Sequence, residues 1–128
     1  MYSIGVDIGG SKIAAGVVGE DFKLISKKSL PFPHTGEPKD SIATIQTLIS
    51  GLVAENALKA EEISAIGLAV PGSIDYDRGV VIDAHNLDYH NFPLCKRVGD
   101  NFPGIQVYVE NDANAAALDE YYTGAFRG

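Results

Sequence analysis

Val6-Asp7-Ile8-Gly9-Gly10-Ser11-Lys12 places a carboxylate at the end of one strand pattern and turns through two glycines into the next. Tyr2 to Ile8 is rich in β-branched and aromatic residues, and Lys12 to Val18 has the same character, so the segment is expected to be a β-hairpin. Two readings of its turn stand side by side. Glycines serve hairpin turns for conformational reasons alone. They also let backbone amides approach an anion closely, while the neighbouring Asp7 can hold a metal or its water shell. The segment is not a Walker loop, because Lys12 does not follow the G-x-x-x-x-G spacing.

Working outward, a third strand is expected over Phe22 to Leu30, ending in the breaker-rich Pro31-Phe32-Pro33-His34-Thr35-Gly36. From Pro38 to about Ala57, Ile42, Ile45, Leu48, Ile49, Leu52 and Val53 recur at three- and four-residue spacing, the stripe of an amphipathic helix. Ile63 to Val70 is a continuous apolar run closed by Pro71-Gly72, as expected of a strand buried on both faces. A short helix is expected around Leu94 to Asn101, a second buried strand over Ile105 to Val109, and an Ala-rich helix over Asp112 to Tyr122. The order β-β-β-α-β-α-β-α makes an α/β domain: a mixed five-stranded sheet with three antiparallel N-terminal strands and helices on its faces. That pattern is expected of a ribonuclease H-like or actin-like ATPase domain.

Composition narrows the classes of function. The chain has 128 residues, enough for one modest core and little more. Seventeen acidic residues against ten basic ones give a net charge of −7, which argues against an extended nucleic-acid interface. Lys27-Lys28 and Lys96-Arg97 are the only adjacent cations, read as solvated surface. Cys95 is the single cysteine, so no intrachain disulfide can form and a reducing cytoplasm fits best. No apolar run is long enough to span a bilayer, and Met1 leads directly into a strand pattern without a basic leader. His34, His85, His90 and Cys95 match none of the usual zinc spacings and read as loop residues.

Three further constellations sit at strand ends. In Glu110-Asn111-Asp112-Ala113-Asn114, Asn and Asp suit a helix N-cap, and Asp in a first turn is favoured by the helix dipole. Yet ligand sites in α/β sheets lie beyond the carboxyl ends of strands, where both Asp7 and Asp112 are expected. An ionised Asp112 there could take the proton of a sugar hydroxyl attacking a γ-phosphoryl group, with Asn111 orienting the ring. Pro71-Gly72-Ser73 either ends its strand or presents the Gly72 amide and Ser73 hydroxyl to a polyhydroxylated ligand. A small β excursion follows over Ile74 to Arg78, with its return at Gly79-Val80-Val81-Ile82. Beyond it, Asn86 is either a turn former or a sugar contact.

Together and in this order, these segments resemble the ROK family of bacterial sugar kinases, glucokinases among them, and related repressors. Asp7-Ile8-Gly9-Gly10-Ser11-Lys12 is similar to the family's first phosphate motif, D-x-G-G-[ST]-K. Gly67 to Gly72, Gly79-Val80-Val81, Asn86-Leu87 and Glu110 to Ala116 continue the likeness to the end of the chain. The resemblance implies a protein that transfers the γ-phosphoryl group of ATP to a hexose hydroxyl, with Asp112 as catalytic base. Gly72, Ser73, Asn86, Asn111 and Asp112 would contact the sugar. Asp7, Gly9, Gly10, Ser11 and Lys12 would face the ATP phosphates, Asp7 toward their Mg2+. Ser11 stands where many members have Thr, and His85 where many carry Pro or another residue.

Members continue past the equivalent of Gly128 into a second phosphate motif, G-T-G-x-G, and then a Glu and a His that complete the sugar site; a Cys- and His-rich zinc site lies in that half. Residues 1–128 are therefore expected to be the N-terminal domain alone, without the C-terminal domain or the zinc site. Such a fragment is expected to be inactive and to self-associate through the apolar face left uncovered. The alternative is a non-catalytic, sugar-sensing module related to the family's regulators but lacking their helix-turn-helix.

Overall fold

Alternating apolar residues build the first hairpin. Ile4, Val6 and Ile8 on β1 (Tyr2–Ile8) and Ile13, Ala15 and Val17 on β2 (Lys12–Val18) share one buried face, in a register that pairs Ile8 with Ile13. The computed structural model describes residues 1–21 and 23–111. β3 (Leu24–Pro31) continues antiparallel on the far side of β2, starting later than expected; Phe22 lies outside the described residues. It is an edge strand with Lys27 and Lys28 among its residues, the usual safeguard against pairing with another chain.

α1 (Pro38–Glu55) returns the chain with Pro38 opening its first turn and buries Ile42, Ile45, Leu48, Ile49 and Leu52. It ends two residues before Ala57 because Ala57 turns left-handed at φ 50°, with Leu58 N–H donating to Val53 and Ala57 N–H to Ala54. β4 (Ile63–Val70) then pairs parallel to β1 on the side away from β2. Its expected burial on both faces is not what forms. Ile66, Leu68 and Val70 are buried, whereas Gly67 is exposed and Ala65 and Ala69 are half-buried. The small residues extend the apolar run in sequence but bring almost no side-chain area to the second face.

The excursion after β4 is a second sheet. β5 (Ser73–Asp75), β6 (Val80–Ala84) and β7 (Tyr89–Phe92) form an antiparallel trio, with a 3-10 turn over His85–Leu87 between the last two. β7 was not expected. α2 (Leu94–Gly99) and β8 (Gln106–Asn111) follow, and β8 pairs parallel to β4. The main sheet runs β3-β2-β1-β4-β8, the mixed five-stranded sheet with three antiparallel leading strands expected from the sequence. Among the described residues no helix is long and apolar enough to cross a membrane.

One core joins both sheets. Val81, Leu87, Tyr89, Phe92, Leu94 and Val98 pack with α1 and the inner face of the main sheet. The Tyr89 and Phe92 rings stack 4.9 Å apart, and the Arg97 guanidinium lies 5.4 Å from the Phe92 ring. Within the core, Ser41 Oγ donates to the Pro38 carbonyl at 2.8 Å and lies 2.6 Å from Tyr89 Oη. A hydroxyl has one proton, so the Tyr89 phenol must be the donor in the second bond. This ties the small sheet to the start of α1.

Burial pushes the Tyr89 phenol up to about 12 from an ordinary 10.0. Its contribution to stability is whole below pH 10.0 and is lost as pH rises through about 12. Tyr89→Phe removes a donor but leaves Ser41 bonded to Pro38, and is expected to cost about 0.5–1.5 kcal/mol. Ser41→Ala strands a buried phenol and is expected to cost about 1–3 kcal/mol. Urea denaturation that finds Ser41→Ala the milder change overturns this donor assignment.

Candidate functional site

The carboxyl ends of β1 and β4 and the loops around them gather most of the residues singled out in the sequence. Asp7 is the seventh residue of the chain and points away from the core: in the register it lies beside Ala14 on β2 and Ala69 on β4, and Ala69 in turn pairs with Glu110 on β8. Asp7 and Glu110 therefore stand on one sheet face, two strands and about 10 Å apart by backbone spacing. Lys12 alternates with the buried Ile13 and so shares that face. Asp7, Ser11, Lys12, Ser73 and Asn86 are all exposed. Among the described residues none of these five side chains makes a hydrogen bond or ion pair, so their polar groups are available to a ligand.

The Gly9–Lys12 turn is closed by Gly9 N–H donating to the Lys12 carbonyl at 3.0 Å and by Phe32 N–H donating to the Ser11 carbonyl at 3.0 Å. Neither Gly9 nor Gly10 has a positive φ, so the turn does not need glycine for its dihedral angles. What the glycines supply is space. A Cβ at Gly9 would sit 3.3 Å from the Lys12 carbonyl oxygen, and one at Gly10 would meet nothing nearer than Asn86 Cβ at 3.7 Å. The structure thus gives Gly9 a local steric reason, the turn's own backbone, and leaves the space at Gly10 open. It also brings Gly10 and Asn86, 76 positions apart in sequence, to adjoining places.

Gly72 is different. Its φ is +119°, and a Cβ there would lie 2.2 Å from the Asp83 carbonyl oxygen and 3.2 Å from Ala84. The backbone of the Pro71–Ser73 turn rests directly on β6, which runs straight into His85-Asn86. Asp83 is also held from β7 by His90 Nδ1 at 2.8 Å. Gly72, Ser73, Asn86 and the Gly9–Lys12 turn thereby form one continuous rim. Asn111 is the last described residue, paired in register with Val70 at the end of β4. Asp112 and the helix expected over Asp112–Tyr122 lie outside the described residues.

Sequence reasoning missed two features. Glu110 was read only as part of a motif, although strand alternation from Val109 would have set it on the open face. His34 was read as a loop residue; its Nε2 lies 2.6 Å from the Gly10 carbonyl oxygen, a contact across 24 positions that no local pattern announces. A separate hollow of about 370 Å³ lies along β8, lined by residues that include Tyr76, Arg78, Cys95, Tyr108 and Glu110. Burial pushes the Cys95 thiol up to about 11, which makes it a poor nucleophile at neutral pH.

A model of the ROK family matches residues 3–128. The chain belongs to the ROK family. Among relatives of this ROK chain, a glucokinase from Streptomyces coelicolor is 41% identical over 126 residues, covering 98% of this chain and 37% of that protein. A candidate xylose repressor from Caldicellulosiruptor sp. is 31% identical over 128 residues, covering 96% of this chain and 31% of that protein. Among solved structures, a ROK family glucokinase from Streptomyces griseus, in complex with glucose and AMPPNP, superposes with a TM-score of 0.83 at 37% identity. That match covers 100% of this chain and 38% of the other. The ROK chain thus spans little more than a third of the kinases it matches, and its sheet is the actin-like ATPase arrangement of those neighbours.

Gly72→Ala combines a disfavoured φ with a backbone clash, and is expected to destabilise the fold by about 2–4 kcal/mol. Thermal or urea unfolding checks this. A variant as stable as the parent would mean that the turn does not rest on β6 as described.

Proposed function

We propose that this chain is the N-terminal domain of an ATP-dependent sugar kinase of the cytoplasm, a phosphotransferase acting on a hexose hydroxyl. The observation that carries the reading is the approach of Gly10 to Asn86, which sets a glycine turn suited to phosphates beside a loop suited to a sugar. The glucokinase relatives and the glucose- and AMPPNP-bound neighbour support it.

In this reading the Gly9–Lys12 turn receives the ATP phosphates: backbone amides and the Ser11 hydroxyl donate to phosphate oxygens, and the Lys12 ammonium offsets their charge. The donor set fits a magnesium nucleotide, since Asp7 is an exposed carboxylate without a protein partner beside that turn. Bound Mg2+ would neutralise phosphate charge there. Ser73, Asn86, Asn111 and the Gly72 backbone orient the sugar. Asp112 takes the proton of the attacking hydroxyl as its oxygen bonds to the γ-phosphorus, and the bond to the β-phosphate oxygen breaks to leave ADP. Phosphoryl transfer of this kind needs groups from both sides of a closing cleft, so residues 1–128 alone are proposed to be inactive and prone to self-association through apolar surface that a second domain would cover. No nucleic-acid or membrane partner is invoked.

A second reading, a sugar sensor without phosphoryl transfer, is favoured by the repressor among the relatives. Coupled measurement of ADP release by the full-length protein with glucose and Mg·ATP separates the two. The kinase reading expects sugar-dependent turnover, lowered about 10²- to 10⁴-fold by Asp112→Ala; sugar binding without turnover supports the sensor.

Gly10→Ala tests the turn directly. The described fold leaves room for the methyl group at negative φ, so stability should hold or rise by about 0.4–1 kcal/mol. Mg·ATP affinity in the full-length protein should fall, because the methyl occupies the phosphate approach. Unchanged affinity in a stable variant removes the turn from the nucleotide site.

A further inference from the structure

We propose that His34 is a positioning residue for the Gly9–Lys12 turn, an assignment that rests on reading that turn as the phosphate cradle. A carbonyl oxygen only accepts, so in the 2.6 Å contact His34 Nε2 carries the hydrogen and donates to Gly10. The described peptide bonds are all trans. In a trans peptide the carbonyl of one residue and the N–H of the next lie in one plane and point in opposite directions. Holding the Gly10 carbonyl toward His34 therefore aims the Ser11 N–H away from it.

The neighbouring peptide is fixed in the same way, because Phe32 N–H takes the Ser11 carbonyl at 3.0 Å and so turns the Lys12 N–H away from Phe32. Two successive carbonyls are drawn to one segment, and the two amides that follow them are presented on the other side. Successive amides facing one way make an anion-binding concavity. Among the described residues the Ser11 amide has no acceptor of its own.

His34 is itself held firmly. Its ring lies 5.0 Å from that of Phe32, which is only 6% exposed and anchored in the core. On its other side Thr35 Oγ1 donates to Asp40 Oδ2 at 2.6 Å, in the first turn of α1, and accepts from Glu37 N–H. The segment from Phe32 to Glu37 is thus a strap fastened to the core and to α1, with His34 as its side-chain contact to the turn.

The test is calorimetric titration of the full-length protein with Mg·ATP in the absence of sugar, for the parent, His34→Ala, His34→Gln and Asp7→Ala. Loss of one such hydrogen bond is expected to weaken Mg·ATP binding by about 3- to 10-fold in His34→Ala. His34→Gln, whose amide nitrogen reaches the Nε2 position, should return to within about 2-fold of the parent, and glucose affinity should be unaffected in both. If Asp7→Ala weakens binding but His34→Ala does not, the cradle stands and the role of His34 is overturned. Equal weakening in His34→Ala and His34→Gln overturns the donor role in favour of ring packing. If none of the three variants alters Mg·ATP affinity, the cradle itself is refuted and this inference goes with it.

Discussion

The close seating of Gly72 on β6 is the constraint from which the site's layout follows. With backbone against backbone, and only a glycine able to occupy that place at φ +119°, the small sheet is fixed to the end of β4 at a set height. β6 then delivers Ala84 into the core and turns through His85–Leu87, where Leu87 is buried and Asn86 is left outside. Because Leu87 and Tyr89 are locked into the core on either side of Asp88, Asn86 has little freedom in where it stands, and that place is beside Gly10. A side chain at position 72 would lift β6 and carry the whole rim with it. The bond from Tyr89 to Ser41 acts at the same end of the small sheet but on its other edge strand, where Tyr89 pairs with Ala84, and ties β7 to α1.

Much of the main sheet was legible in the sequence because each strand obeys a local rule. Alternation in Tyr2–Ile8 and Lys12–Val18, a three- and four-residue stripe in α1, and short apolar runs at Ile63 and Ile105 each predict their own element without reference to the others. Errors arose where tertiary context decides. β4 read as doubly buried because Ala65, Gly67 and Ala69 count as apolar, yet they contribute too little area to bury. α1 stopped before Ala57 because a left-handed residue closes it, a role more usual for glycine or asparagine. β7 escaped notice since Tyr89-His90-Asn91-Phe92 is four residues long and contains Asn91 at φ 49°.

The site was legible by type but not by arrangement. Polar residues at strand ends drew attention to Asp7, Ser73, Asn86 and Asn111, and topology explains why they converge: in a parallel β1-β4-β8 arrangement the carboxyl ends of all three strands lie at one edge. Nothing local could show that Gly10 adjoins Asn86 or that His34 reaches Gly10, since those contacts depend on how the strap and the small sheet are tied down. The two glycines of the turn illustrate the difference. Read locally they are turn formers; in the fold their dihedral angles suit many residues, and their lack of side chains matters for what can come near.

The two faces of the main sheet divide its duties. The inner face is filled by Ile4, Val6, Ile8, Ile66 and Leu68, large residues that fix the strands rigidly. On the outer face Ala14, Asp7, Ala69 and Glu110 form one row, and Lys12 shares that side, so charge is set on small neighbours that neither bury nor pair it. An Asp or Lys flanked by large side chains would be partly desolvated, and a carboxylate in a tight ion pair would have to break it before meeting a ligand. Small neighbours avoid both costs. The turn applies the same economy to the backbone: Phe32 and His34 occupy carbonyl oxygens, which would repel phosphate, and leave amide hydrogens, which attract it, turned outward. On the proposed reading of the turn, a rigid inner face, a small-residue outer face and a strap that takes up only acceptors would present an arriving anion with donors that are already oriented.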